Sequence, residues 1–212
     1  MGARSGDSSE RGTRPLGLGT GRDGLLHVPL YLEPDVASPL VIMLHGAGAW
    51  AGDVMPMVAA AADRHTVLVL APDARGATWD VIQRDYGPDV AFLDHALERL
   101  FETYAVDPDR IAIAGFSDGA SYALSLGLVN GTLFSDILAF SPGFAAPSRT
   151  EDHPRIFISH GRQDPVLPFE RCGDRLAAAL AQSDYDVDYR PFDGGHVVPA
   201  EMVEAAFSRI LT

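Results

Sequence analysis

Cysteine is almost missing from this chain: Cys172 is the one thiol in 212 residues. A single cysteine excludes an intramolecular disulfide, and with it the stapled scaffolds of oxidising compartments. The expectation is a reducing cytoplasm, with secretion of a disulfide-free protein left open. Positive charge is scarce too. Sixteen Lys and Arg stand against 29 Asp and Glu, a formal net charge of −13. That balance argues against nucleic acid and anionic membrane surfaces as partners. No apolar run reaches the length of a membrane span. The seven histidines show no H-E-x-x-H or H-x-H spacing, and no Rossmann or P-loop glycine pattern occurs, so neither metal nor cofactor is expected. Residues 1–24 are polar and lack the apolar core of a secretory signal.

What is present is an alternation of short apolar runs with amphipathic stretches. Hydrophobic residues make up 47% of the chain, enough for a sheet covered on both faces. Strands are predicted near residues 25–32, 39–45, 66–71, 110–115, 136–141, 155–160 and 187–192, and helices near 52–63, 88–104, 117–129, 169–183 and 200–211. Val90, Leu93, Leu97, Leu100, Phe101 and Tyr104 share one helical face, as do Val203, Ala206, Phe207 and Ile210. These stripes read as core. Later strands alternate with helices, which implies right-handed crossovers and a mostly parallel α/β sheet. The first two strands have no helix between them and are expected to form an antiparallel hairpin-like edge. Residues 1–14 read as a mobile leader, Leu16–Gly19 as a marginal edge strand, and 15–212 as one domain.

One segment carries chemistry by its context. Gly115-Phe116-Ser117-Asp118-Gly119 follows the apolar strand Arg110–Ala114 and opens a helix, the setting of a nucleophile elbow. Such a turn lifts the Ser117 hydroxyl above the sheet edge and aims the Asp118 amide at the same space. Downstream, Asp164 falls in the loop after the 155–160 strand, and His196 follows Gly194 and Gly195 after the 187–192 strand. Each alone reads as an ordinary loop residue. Together they give the order Ser, Asp, His, with a base that titrates near neutrality and a carboxylate to fix its tautomer. Small residues after the 39–45 strand suit an oxyanion hole: Ala47, or alternatively Gly48, supplies one amide and Asp118 the other. His45 reads as structural, hydrogen-bonded beneath that turn. Trp50, Trp79, Phe144 and Leu167 are candidates for the pocket wall. Arg75 is expected to pair with Asp73 or Asp80, and Cys172 to be a buried thiol on a helix face.

Leu44-His45-Gly46-Ala47-Gly48, Gly115–Gly119, His160–Pro168 and Gly195-His196 together resemble the phospholipase/carboxylesterase branch of the α/β-hydrolases, which includes acyl-protein thioesterases and small bacterial esterases. The resemblance spans about residues 25–212. It implies an α/β-hydrolase fold and ester hydrolysis through an acyl-enzyme, with Ser117, Asp164 and His196 as the triad and a small-molecule ester as substrate. Acyl-protein thioesterases usually carry glutamine after the serine, where this chain has Asp118. The interval between Ser117 and Asp164 has no room for a large helical cap, so an open or shallow site is expected. A thioesterase or lysophospholipase of the same family, acyl transfer or peptide cleavage, and a non-catalytic ligand-binding protein on this fold stand as alternatives. Oligomeric state, monomer or homodimer, is not legible.

Overall fold

The computed structural model describes residues 10–19, 21–83 and 86–212. An eight-stranded sheet contains β1 (Gly12–Pro15), β2 (Gly24–Val28), β3 (Ser38–Leu44), β4 (Leu68–Pro72), β5 (Val106–Phe116), β6 (Asp136–Phe140), β7 (Arg155–Gly161) and β8 (Val187–Phe192). The helices are α1 (Ala51–His65), α2 (Asp80–Gln83), α3 (Pro88–Thr103), α4 (Asp118–Val129), α5 (Gly173–Gln182) and α6 (Ala200–Ile210). Spatial order is β1-β2-β4-β3-β5-β6-β7-β8. From β4 to β8 every neighbour is parallel, while β2 runs antiparallel to both β1 and β4.

The period-two alternation of a strand explains the two cores. Leu40, Ile42 and Leu44 of β3 point into one cluster with Leu93, Leu97 and Leu100 of α3 and with Ala120, Ala123 and Leu124 of α4. Val41 and Met43 point into the other, with Val54, Met55 and Val58 of α1 and Val203, Ala206, Phe207 and Ile210 of α6. The sheet is thus covered on both faces, and its central strands are apolar throughout. β3 is buried along its whole length. All parallel strands end on one edge of the sheet, so the loops after β3, β4, β5, β6, β7 and β8 gather there. Between β6 and β7 residues 141–154 contain neither helix nor strand, and among the described residues the edge carries no large cap.

Five expectations need correction. The hairpin between the first two predicted strands does not form: β2 pairs with β4, in register Leu26↔Leu70. The β3–α1–β4 crossover lays β4 on the flank of β3 that a hairpin partner would need. Gly12–Pro15, inside the leader expected over 1–14, forms the edge strand β1, and residues 1–9 lie outside the described residues. Proline is tolerated there because an edge strand leaves one side unpaired. Leu16–Gly19 is no strand: the Asp23 carboxylate accepts the Gly17 and Leu18 amides at 2.6 and 3.1 Å and holds a turn. Finally, the buried face of α3 centres on Phe92, Leu93, Ala96, Leu97 and Leu100, which leaves Phe101 exposed. The predicted helix 169–183 begins only at Gly173, with the buried Cys172 as its N-cap residue. Burial pushes that thiol's pKa up.

Candidate active site

β5 runs straight into α4 through Ser117, whose backbone sits at φ 57°, ψ −119°. A non-glycine residue in that region is strained by about 1–3 kcal/mol, and the surrounding structure must enforce it. Enforcement comes from close packing. A Cβ at Gly119 would run into the Leu44 and His45 carbonyls, and one at Gly115 into the Gly119 backbone. The Ser117 amide donates to Phe140 O at 3.0 Å, and Ser117 O accepts from Ala120 and Ser121. The turn is therefore fixed from both sides, and the hydroxyl stands beside Gly46 of the loop after β3.

Asp164 and His196 meet at the same edge. His196 Nδ1 donates to Asp164 Oδ2 at 2.6 Å. The other carboxylate oxygen accepts the Val166 and Leu167 amides at 2.8 and 2.9 Å. Burial pushes the Asp164 pKa up, but the hydrogen bonds from His196 and from the two amides outweigh it and hold the carboxyl below its ordinary value. The His196 loop is tied to the Asp164 loop by main chain: Arg162 N donates to Phe192 O and Gln163 N to Gly194 O, each at 2.9 Å. With Nδ1 carrying its proton toward Asp164, a neutral His196 has Nε2 as an acceptor. The imidazole packs on Phe116, the residue before Ser117, with ring centroids 4.7 Å apart. Among the described residues Ser117 Oγ and His196 are not hydrogen-bonded to each other. Such bonds are often loose without substrate and close in the complex.

The loop after β3 passes beside Ser117, where a Cβ on Gly46 would lie 3.4 Å from the serine Cβ. Gly48 N is taken by Ala77 O at 2.7 Å and Ala49 N by Gly46 O at 3.2 Å, whereas the Ala47 amide has no acceptor among the described residues. Asp118 is the first residue of α4, where helix amides lack intrahelical partners. His45 lies beneath the turn as expected. Its Nδ1–H donates to Gly46 O at 2.7 Å and its Nε2 accepts the Ala74 amide at 2.9 Å. Burial lowers its pKa, consistent with a neutral ring in that arrangement.

Around this core the side chains divide. Trp50 and Phe144 are exposed at the edge, Trp50 with the Arg22 guanidinium 3.8 Å over its ring. Leu167 is half-buried beside the loop that carries Phe144: a Cβ on Gly143 would sit 3.3 Å from it. Trp79 is a correction. It is 1% exposed, stacks on Tyr122 and donates Nε1–H to His45 O at 2.8 Å, so it packs the core and lines no surface pocket. Its large apolar ring finds more area to bury beneath the loop than above it. Arg75 Nη2 donates to the Asp73 carbonyl at 2.6 Å, its guanidinium lies over Phe92, and the Asp89 and Asp73 charges both attract it.

A family model for phospholipases and carboxylesterases matches residues 89–211, more than half of the sequence. The chain belongs to the phospholipase/carboxylesterase family. Acyl-protein thioesterase 1 of Gibberella zeae is 37% identical over 114 residues, 48% of this chain and 48% of that protein. Feruloyl esterase C of Emericella nidulans is 26% identical over 162 residues, 71% of this chain and 57% of that protein. The chain spans about half the length of the curated relatives it matches. Among solved structures, esterase PE8 superposes with a TM-score of 0.73 at 22% identity, covering 91% of this chain and 99% of that one. S-formylglutathione hydrolase FrmB of Staphylococcus aureus also gives a TM-score of 0.73, at 13% identity, covering 96% and 99%. These likenesses establish the α/β-hydrolase fold.

Ser121, Ser125 and Thr78 had no sequence signal in this family member, and the buried role of His160 was not read from its motif. Ser121 Oγ accepts the Gly143 amide at 2.9 Å and Ser125 Oγ accepts the Ala146 amide at 2.9 Å, so α4 pins the start of the 141–154 loop. Thr78 Oγ1 donates to Asp118 Oδ2 at 2.7 Å. His160 is fully buried, its Nε2–H donating to Leu167 O at 2.8 Å, with Asp164 Oδ2 3.3 Å away. Ser121 and Ser125 read as ordinary helix residues, and Thr78 as a loop residue outside any motif.

Proposed function

We propose that this chain is a serine hydrolase that cleaves carboxylic esters of small or accessible substrates through an acyl-enzyme. The observation that carries the reading is the 2.6 Å His196–Asp164 bond beside a serine held at φ 57° on a strand-to-helix turn. Ser117 is the nucleophile. His196 Nε2 accepts the hydroxyl proton as Oγ attacks the ester carbonyl, and Asp164 stabilises the imidazolium that forms. The amides of Ala47 and Asp118 receive the oxyanion, each worth about 3 kcal/mol in the transition state. The imidazolium then protonates the leaving alcohol. A water, deprotonated by the same nitrogen, attacks the acyl-serine and releases the acid. Trp50, Phe144 and Leu167 form the apolar wall of the pocket. The exposed Val166 and Val197, each close to a triad member in sequence, extend it as a rim. The open edge favours esters whose acyl group lies on an apolar surface over ones that must be enclosed.

The Gibberella zeae relative, named as a thioesterase, supports thioesters as a second substrate class for the same machinery. Asp118 in place of the thioesterases' usual glutamine favours oxygen esters as the first. The single cysteine supports a cytoplasmic setting, and among the described residues no helix is long and apolar enough to cross a membrane. A fluorophosphonate probe and a p-nitrophenyl acetate assay test the reading. Labelling at Ser117 and turnover are expected together, and both vanish in Ser117→Ala. Binding of ester without labelling or turnover would instead indicate a ligand-binding protein.

A further inference from the structure

The loop after β4 touches both halves of the proposed oxyanion hole. From residues 73–79, Ala77 O accepts the Gly48 amide at 2.7 Å and Thr78 Oγ1 donates to Asp118 Oδ2 at 2.7 Å. The same stretch holds His45, through the Ala74 amide at 2.9 Å and Trp79 Nε1 at 2.8 Å. It also anchors the start of α1, where Asp73 Oδ1 accepts the Ala51 amide at 2.7 Å. One segment therefore fastens the turn that carries Ala47 and the residue that supplies the second amide.

The bond at Asp118 has a specific chemical meaning. A carboxylate in the first turn of a helix is attracted to the unpaired amides there and readily caps them. At an oxyanion hole that habit is harmful, because the carboxylate competes for the donors and repels the oxygen that must become negative. Holding Oδ2 on the Thr78 hydroxyl turns the carboxylate away and keeps its own amide facing the substrate. We infer that Thr78 is a positioning residue for the oxyanion hole, acting through the Asp118 side chain. The inference rests on the acyl-enzyme reading above and deepens it.

Variants of Thr78 and Asp118 test this with p-nitrophenyl butyrate as substrate and an alkyl boronic acid as the tetrahedral analogue. Thr78→Val keeps shape and loses the donor. It should lower kcat about tenfold, a displaced donor costing less than a deleted one, with KM changed less than about twofold. Boronate affinity should weaken in step with kcat, and the melting temperature should hold. Thr78→Ser restores the donor and should recover kcat to within about threefold of wild type. Asp118→Ala keeps the amide and removes the carboxylate, so it is the background in which the Thr78 hydroxyl has nothing left to restrain. Adding Thr78→Val to Asp118→Ala should then change kcat by less than about twofold, because the two act as a unit.

Unchanged kcat in Thr78→Val, or the same loss from Thr78→Val in the Asp118→Ala background, overturns the inference. So does a fall in melting temperature that accounts for the lost activity without any change in boronate affinity. Wild-type protein that neither turns over ester nor labels with fluorophosphonate overturns the acyl-enzyme reading itself, a result distinct from the others.

Discussion

Asp164 divides its carboxylate between two tasks. Oδ2 holds His196, and Oδ1 holds the Val166 and Leu167 amides that keep its own loop closed. Asparagine keeps the loop bonds if its oxygen takes the amides, but its NH2 then faces His196 and favours the wrong tautomer. Asp164→Asn is expected to lower kcat about 10⁴-fold with little change in melting temperature at neutral pH. A loss below tenfold would contradict the triad assignment. The same carboxyl gives a pH signature. Its folded pKa lies below the ordinary value, so its stabilising contribution is complete above the unfolded value of about 3.9 and is lost as pH falls through the folded one. Urea midpoints of wild type should therefore fall more steeply below about pH 4 than those of Asp164→Asn. Parallel curves would mean that the pair adds nothing to stability.

At the scale of elements, α4 does more than carry the elbow. Ser121 and Ser125, one helical turn apart on one face, hold the loop that presents Phe144. Ser121→Ala removes the acceptor for Gly143 N at a cost of about 1 kcal/mol, so amide hydrogen exchange at Gly143 and Phe144 should accelerate. Unchanged exchange would show that the loop is held by other contacts. Elements with their own periodicity were legible in the sequence: β3, β7, β8, α3 and α6 lie within a residue or two of their expected bounds. The sites of Ser117, Asp164 and His196 were legible as well, because each follows a strand in a parallel sheet and parallel strands end on one edge. What was not legible depends on pairing across the chain. The neighbour of β2 was misread because α1 carries β4 into the intervening place. Trp79 was misread because a loop aromatic gives no sign of whether it faces solvent or folds beneath its own loop. The Thr78–Asp118 bond joins residues 40 apart and leaves no local pattern.

At the largest scale, an edge without a large cap among the described residues is combined with a net charge of −13 over the sequence. Such a field slows the approach of anions and is screened by salt. With a hemisuccinate ester, kcat/KM should rise between about 20 and about 200 mM salt, while a neutral ester of equal size stays nearly constant. Equal salt responses would show that the site is shielded from the global field. The central claim is that Ser117 becomes acylated during turnover, and acetylation by p-nitrophenyl acetate reads it most directly. The protein is quenched in acid during turnover and its peptides are sequenced by mass spectrometry. One acetyl group per chain on Ser117, absent from Ser117→Ala, is the expected result. Ester turnover that proceeds with Ser117 unmodified, or with the acetyl group on another side chain, would contradict it.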